Sequence, residues 1–284
     1  MGYIQILRIK NWVKNFLIFI PFIFAAKFEN PDQSDFTALI IGFVAFCLVT
    51  SSVYIINDVM DAESDKKDEH KKNRPIPKGK VKIIPAIIES IILLVASLLL
   101  IIFINNTKAL IIAISYFILN LFYSIKLKDV PIVDITLLSL FFLLRIYYGA
   151  FLVNVPVSIY LSLTTLVAAY YLGISKRLAE YRMNKDTRLV LKFYEPQFLD
   201  DLTVMFQTLT IVFYSLWVIN YKGFLNVDIL CISIPFVIII LIYYKYLVST
   251  SGLSNPVDIL FKYKLFLTTI VLFVVLLYFA FIIR

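Results

Sequence analysis

Long apolar runs separated by short polar stretches set the pattern of this chain. Crossing the hydrocarbon layer of a bilayer takes roughly 20 apolar residues in a helix, and nine runs approach that length. They lie at Trp12–Ala26, Phe36–Ile56, Ile83–Ile104, Leu110–Tyr123, Val133–Val153, Ser158–Ile174, Val204–Ile219, Ile229–Tyr246 and Leu265–Ile283. Several fall short of a full crossing, so their ends are set only to within several residues. The connections carry Pro, Asn, Asp or Gly turn signals, as in ENPDQSD, INNTK, NVP and NYKGFLNVD. The pattern predicts an all-α membrane protein with nine transmembrane helices, forming a single domain over residues 1–284.

Composition supports the membrane reading. Of 284 residues, 61% are hydrophobic and only 16% charged, with a mean hydropathy of +0.89. A soluble domain is nearer one half apolar and one quarter charged, whereas lipid accepts apolar side chains on the outside. The 25 Phe and 18 Tyr fit the same picture. Met1 to Asn11 leads straight into the first apolar run with no small-residue cleavage site after it, so that run is expected to be a retained helix. Cys47 and Cys231 both lie inside apolar runs and are expected to be small packing residues, not a disulfide or a metal pair.

The net charge of +8 would point to nucleic acid in a soluble domain. Here membrane topology accounts for most of it, and no nucleic-acid partner is expected. With nine crossings and the N-terminus inside, 22 of the 27 Lys and Arg fall on the inner side and four on the outer, with Arg145 inside a span. That asymmetry follows the positive-inside rule. It predicts a multi-pass protein of the plasma (inner) membrane with N-terminus and active site cytoplasmic and C-terminus outside. The two longest loops, after spans two and six, both face the cytoplasm, and the polar chemistry collects there.

The strongest local feature ends span two: SSVYIINDVMDAESDKKDEHKKNRPIPKG. On a helix Asp58, Asp61 and Asp65 sit at i, i+3 and i+7 on one face, and Asn57, four residues before Asp61, shares that side. Carboxylates so placed repel one another unless a cation lies between them, and hard oxygen donors point to magnesium held together with substrate phosphates. An acidic helix end meeting water is the bland reading. It is weakened because Asn57 and Asp58 follow directly on Tyr54, Ile55 and Ile56, and ionisable groups near membrane depth are usually functional. In KKNRPIPKGK, Lys72 and Lys78 serve equally well as topology charges, whereas Arg74, with its fork before a proline, is the better candidate for a placed phosphate ligand.

A second feature, YSIKLKDVPIVD, places Lys126, Lys128, Asp129 and Asp134 at the same level where span four turns into span five. Arg145 follows Asp134 by eleven residues, close to three turns and about 16 Å along the axis, so both share a face. A charge at Arg145 is costly in lipid and should face the protein interior or a polar cavity; a purely structural arginine is the competing reading. A third cluster after span six contains Lys176, Arg177, Glu180, Arg182, Lys185 and Arg188. About half of these charges can be assigned to topology, leaving the others to grip an anionic substrate. His70, the only histidine, sits in a charged loop and is expected to be a bystander. No glycine-rich phosphate loop, metal-ligating cysteine set or nucleophilic triad is present in the sequence.

These residues resemble the UbiA superfamily of intramembrane prenyltransferases, whose first signature, Asn-Asp-x-x-Asp-x-x-x-Asp, reads here as Asn57, Asp58, Asp61 and Asp65. The resemblance covers nearly the whole chain. It implies a nine-helix bundle with a central cavity facing the cytoplasm, in which that signature binds magnesium and the donor's diphosphate. LRIKNWVKNFLIFIPFIFA, FYSIKLKDVPIVDI, FFLLRIYYGA and LGISKRLAEY narrow the match to the branch typified by decaprenyl-phosphate phosphoribosyltransferases. Prenyl-transferring members carry a second aspartate-rich signature after span six, where this chain has Gly173, Lys176, Arg177 and Glu180. Losing carboxylates and gaining cations shifts that position from metal binding towards anion binding.

The resemblance implies magnesium-dependent transfer of a 5-phosphoribosyl group from 5-phosphoribosyl 1-diphosphate to a polyprenyl phosphate. Asn57, Asp58, Asp61 and Asp65 are the expected metal set. Asp134, counted with the catalytic carboxylates, is expected to bind ribose hydroxyls or a water, and Arg145 to hold a phosphate. Lys14, Arg74, Lys128, Lys176 and Arg177 are the other expected phosphate contacts. The lipid tail would lie among apolar helix faces. Two alternatives stand beside this: prenyl transfer from a prenyl diphosphate to an aromatic or other small acceptor, and a non-enzymatic transporter or scaffold. Chain length of the lipid, number of magnesium ions, downstream pathway and oligomeric state are not encoded in any legible motif.

Overall fold

The computed structural model describes residues 2–24, 33–67, 71–183, 189–221, 226–253 and 255–283. The regular structure of those residues is all helical, with no β-strand among them. The chain divides into two compact units, one of residues 1–137 and 144–156, the other of residues 138–143 and 157–284.

The first unit holds α1 (Gly2–Ile6), α2 (Ile20–Phe24), α3 (Gln33–Met60), α4 (Ala62–Lys67), α5 (Ile83–Phe103), α6 (Thr107–Ile125) and the two ends of α7 (Val133–Leu152). Helix α3 is its centre, packing against α5 and α6. Between α3 and α5 the contact is made by small hydroxyl residues: Ser52 and Ser90 share a hydrogen bond of 2.9 Å, and Ser90 Oγ also donates to the Ser52 carbonyl. Small polar residues let helices approach closely where lipid gives no hydrophobic drive for association. The opposite face of α5 is a stripe of exposed Ile84, Ile87, Ile88, Ile91, Ile92, Val95 and Leu99, the surface a lipid-facing helix presents.

The second unit holds α8 (Ile159–Arg182), α9 (Pro196–Ile219), α10 (Val227–Ser251), α11 (Pro256–Lys262) and α12 (Lys264–Ile282). Tyr171 donates to the Leu241 carbonyl at 2.7 Å and Tyr214 pairs with Ser233 at 2.6 Å, tying α8 and α9 to α10. At one end Asp200 accepts from Arg182 and lies 3.6 Å from Lys245.

Nine crossings were expected from the pattern. Among the described residues six helices are long and apolar enough to cross a membrane, or seven if α11 and α12, bent by 97°, count as one span. The six are α3, α5, α6, α7, α9 and α10. Helix α8 is 24 residues long, but hydroxyl side chains and four charged residues (Lys176, Arg177, Glu180 and Arg182) dilute its apolar character. The first apolar run departs from a regular helix: Ile9–Phe19 is an 11-residue 3-10 helix that passes into α2 at Ile20. Runs beyond three or four residues in that form are uncommon. Tertiary contacts hold this one. Asn15 is buried and donates to Thr50 and Cys47, each at 3.2 Å, and Trp12 Nε1 donates to Ser51 at 3.0 Å. Of the two cysteines, both free, Cys47 packs inside as expected while Cys231 is exposed.

Candidate active site

The signature keeps its helical register across the junction of α3 and α4. Asp61 interrupts the helix as a turn residue, yet its N–H reaches the Asn57 carbonyl at 2.9 Å and the Asp65 N–H reaches the Asp61 carbonyl at 2.8 Å. The i to i+4 ladder therefore continues, and the spacing read from the sequence becomes a spacing in space. Asp58 and Asp65 are buried, each 2% exposed, and carboxylates so enclosed require positive partners.

Those partners come from three other segments. Arg74 Nη1 bridges Asp58 at 3.1 Å and Asp65 at 2.6 Å. Arg8 grips Asp58 with two nitrogens, Nε donating to Oδ2 at 3.1 Å and Nη2 to Oδ1. Lys128 donates to Asp61 Oδ1. Asp61 Oδ2 accepts from Asn57 at 3.0 Å, and Asn57 Oδ1 accepts from Ser124 at 3.1 Å. The cluster thus resolves into two pairs, Asp58 with Asp65 held by Arg8 and Arg74, and Asn57 with Asp61 held by Lys128.

Local sequence explains how the cations arrive. In RPIPKGKV, the Lys78 N–H returns to the Arg74 carbonyl and those of Lys80 and Val81 to the Pro75 carbonyl. Gly79, at φ 75°, supplies the left-handed step of that turn. Ile76 and Val81 plug the turn into a buried cluster with Ile6, Ile55, Ala62 and Ala86. Ile6 anchors α1 in the same cluster, which delivers Arg8 to the other side of Asp58. Arg8 itself adopts a left-handed backbone, φ 51° and ψ 46°, and its guanidinium lies over the Tyr54 ring at 5.2 Å. Lys128 sits in the 3-10 turn Leu127–Asp129 that follows α6.

The expected residues separate into groups. Asn57, Asp58, Asp61, Asp65, Arg74 and Lys128 share one hydrogen-bonded cluster. Lys72 and Lys78 are exposed beside it. Lys14 is half-buried in the 3-10 helix. Asp134 is fully enclosed at the first turn of α7. Arg145, 3% exposed, belongs to a second network: Nε donates to Asn15 and Nη2 to the Tyr116 hydroxyl, both at 2.9 Å, and its guanidinium lies against the adjoining rings of Phe46 and Tyr116. In the second unit Arg177 is fully buried and donates to Glu180 at 2.9 Å, while Lys176, with a side chain 29% exposed, lies 4.0 Å from the same carboxylate. Glu180 is therefore engaged by cations. His70, Lys185 and Arg188 lie outside the described residues.

Arg8 and Ser124 are the site residues that sequence reasoning missed. Arg8 is 50 positions from Asp58 and Ser124 is 67 from Asn57, so no spacing rule connects them. Arg145→Met should cost about 1–3 kcal/mol, the cost of removing the buried donor that Asn15 Oδ1 accepts from; thermal unfolding in a fixed detergent measures it.

The donor chemistry fits a hard divalent cation: carboxylate oxygens on one helix end, two of them buried and in need of positive charge. No group of three or more His, Cys, Asp or Glu among the described residues is gathered to hold a metal ion; the aspartates face Arg8, Arg74 and Lys128.

These features define a multi-span, all-α membrane protein whose polar chemistry gathers at the end of one long helix. The chain belongs to the UbiA prenyltransferase family, whose model matches residues 18–256. It is similar to the decaprenyl-phosphate phosphoribosyltransferase of Mycolicibacterium smegmatis, 31% identical over 76% of this chain and 70% of that protein. The enzyme of the same name from Mycobacterium tuberculosis is 28% identical over 91% of this chain and 87% of its own length. Among solved structures, a UbiA homolog from Archaeoglobus fulgidus bound to DMAPP and Mg2+ covers the whole of both chains with a TM-score of 0.76 at 19% identity, a likeness of fold.

Proposed function

We propose that this protein is a polyprenyl-phosphate phosphoribosyltransferase, moving the 5-phosphoribosyl group of 5-phosphoribosyl 1-diphosphate onto a polyprenyl phosphate with release of diphosphate. The observation that carries the reading is the packing of three aspartates and three cations into one cluster. Such a site can bind a metal and several phosphate groups at once. The likeness to decaprenyl-phosphate phosphoribosyltransferases supports the choice of donor and acceptor. Engagement of Glu180 by Arg177 and Lys176 favours it over prenyl transfer with a second carboxylate-held metal.

In this reading Asp58, Asp61 and Asp65, with Asn57 beside them, hold magnesium, which when bound neutralises charge on the leaving diphosphate. Arg74 and Lys128 bind the phosphates of the donor, with Lys14 as a further contact in the same unit, and Lys176 is a candidate phosphate ligand of the second unit. They stabilise charge where it grows on the departing oxygen. The bond from ribose C1 to the diphosphate oxygen breaks, its electron pair leaving with the diphosphate. An oxygen of the lipid phosphate, already ionised, forms the new bond to C1 from the opposite face. No general base is required. Asp134, fully enclosed at the first turn of α7, takes a positioning role in place of direct contact with the ribose hydroxyls. Arg177 holds Glu180 next to Lys176, and Arg145 braces the helices behind the site instead of touching phosphate.

The reading retains nine membrane crossings and residues 1–284 as one catalytic domain. The 3-10 segment Ile9–Phe19 supports the first crossing, because at roughly 2.0 Å rise per residue it reaches about 22 Å, and α2 extends it. The protein is placed in the plasma (inner) membrane with its N-terminus and a site cavity on the cytoplasmic side and its C-terminus outside, in keeping with the charge asymmetry.

The test is an assay in detergent with magnesium, polyprenyl phosphate and donor labelled in the ribose. Label should enter the organic phase, and Asp61→Asn should cut the rate by about 10²–10³-fold, the scale of losing one transition-state electrostatic partner. Transfer from a prenyl diphosphate, with none from the phosphoribosyl donor across several lipid lengths, would overturn the assignment in favour of prenyl transfer.

A further inference from the structure

The aspartates of the signature are already neutralised by side chains of the same unit. Asp58, Asp61 and Asp65 supply three negative charges, and Arg8, Arg74 and Lys128 supply three positive ones. A divalent cation binding to the oxygens held by Arg74 and Lys128 has to displace those two donors, and doing so alone would leave the cluster strongly positive. A diphosphate approaching alone would find the cations held by carboxylates. When both bind together the conflict disappears: the metal takes the carboxylates and the anion takes the cations that are set free.

The three cations are not equivalent. Arg74 and Lys128 each meet their carboxylates through one terminal nitrogen, and their side chains are 30% and 19% exposed. Each can swing to a phosphate by rotating its outer bonds. Arg8 is held on three counts. It binds Asp58 through two nitrogens, lies over Tyr54 at 5.2 Å, and springs from a left-handed backbone of φ 51° at the head of the 3-10 helix. A side chain fixed in that way keeps Asp58 oriented while the others move.

We propose that Arg74 and Lys128 are an internal counter-charge that a divalent cation displaces only in company with diphosphate, with Arg8 completing the charge balance at Asp58. Arg74 and Lys128 exchange from carboxylate to phosphate, and Arg8 stays on Asp58 as a positioning residue. This rests on the reading of the cluster as a metal–diphosphate site but not on the identity of the group transferred. Its consequence is reciprocal coupling, in which metal and anion each raise the affinity of the other by one factor.

Equilibrium dialysis of Mn2+ against chelator-stripped protein in detergent, with and without inorganic diphosphate, measures that factor once corrected for the complex formed in the protein-free chamber. Wild-type protein should bind Mn2+ at least about tenfold tighter with diphosphate, inside the roughly 5- to 150-fold range of typical couplings. Lys128→Gln should bind Mn2+ more tightly than wild type when no anion is present, and gain much less from diphosphate. Arg8→Gln should also bind the metal alone more tightly, yet keep most of the gain. Equal affinity with and without diphosphate in the wild type overturns the proposal without using any variant. An unchanged metal-alone affinity in a Lys128→Gln protein of wild-type melting temperature also overturns it. Asp61→Asn separates the two readings: if it binds Mn2+ as the wild type does in every condition, the metal-site reading itself has failed. If it loses Mn2+ binding while the wild type shows no coupling, only the exchange has failed.

Discussion

Asp58→Asn should abolish transfer and also weaken the fold, a double effect not expected of Asp61→Asn. Asp58 is 2% exposed and accepts from both Arg8 and Arg74. An amide in its place leaves two guanidinium groups facing each other, with Asp65 the one remaining carboxylate that Arg74 bridges. Breaking a fully buried ion pair from one side costs about 3–5 kcal/mol. Arg8 and Arg74 are 22% and 30% exposed along their side chains and can turn towards water, which brings the expected loss nearer to about 2 kcal/mol. Asp61, with a side chain 23% exposed, can be neutralised with less structural consequence. Melting temperatures of the two variants in the same detergent, beside their transfer rates, test the distinction. Equal melting temperatures would show that Asp58 has no structural share.

Gly149→Ala should be the most damaging single methyl in the first unit. A Cβ there would lie 2.0 Å from the Ile18 carbonyl oxygen, 2.7 Å from its carbon and 2.9 Å from its Cα. All three are backbone atoms of the 3-10 helix, which cannot yield without moving Asn15 and hence the support of Arg145. Overpacking usually costs about 1–3 kcal/mol, and a clash with fixed backbone should exceed that range. Gly42→Ala is the control. Its Cβ would meet Leu152 Cδ1 at 2.3 Å and Cδ2 at 2.9 Å, the far end of a side chain that can rotate, so its cost should stay within the usual range. Size-exclusion profiles of the two variants after heating should show Gly149→Ala lost first. If Gly42→Ala were the worse, the close approach of α7 to the 3-10 helix would not be the constraint described.

Legibility followed sequence distance. The grouping of Asn57, Asp58, Asp61 and Asp65 depends on hydrogen bonds within one turn, such as the Asp65 N–H to the Asp61 carbonyl, so helical spacing alone reveals it. Arg74 was legible for a related reason, since it follows Asp65 by nine residues and a proline-bounded turn returns the chain. Arg8 was not legible. It reads as one more topology charge until Ile6 is seen packed against Ile76 and Val81. Arg145 shows the opposite limit. An arginine in an apolar helix announces an interior position, but Asn15 lies 130 residues away, and only the structure names its partner. The first apolar run was read as an ordinary span because its composition is right for one; the 3-10 form comes from contacts made by Asn15, Trp12 and Gly149, which local propensity does not contain.

By itself the sequence determined the membrane class, the position of most long helices and the carboxylate signature. Each of these is fixed by hydrophobicity or by bonds between residues a few positions apart. Tertiary structure decided which cations neutralise that signature, how the aspartates divide into two pairs, and the form of the first segment. Those outcomes depend on charges and carbonyls from segments separated by as many as 130 residues, and such pairs are chosen by packing and the need to satisfy buried polar groups.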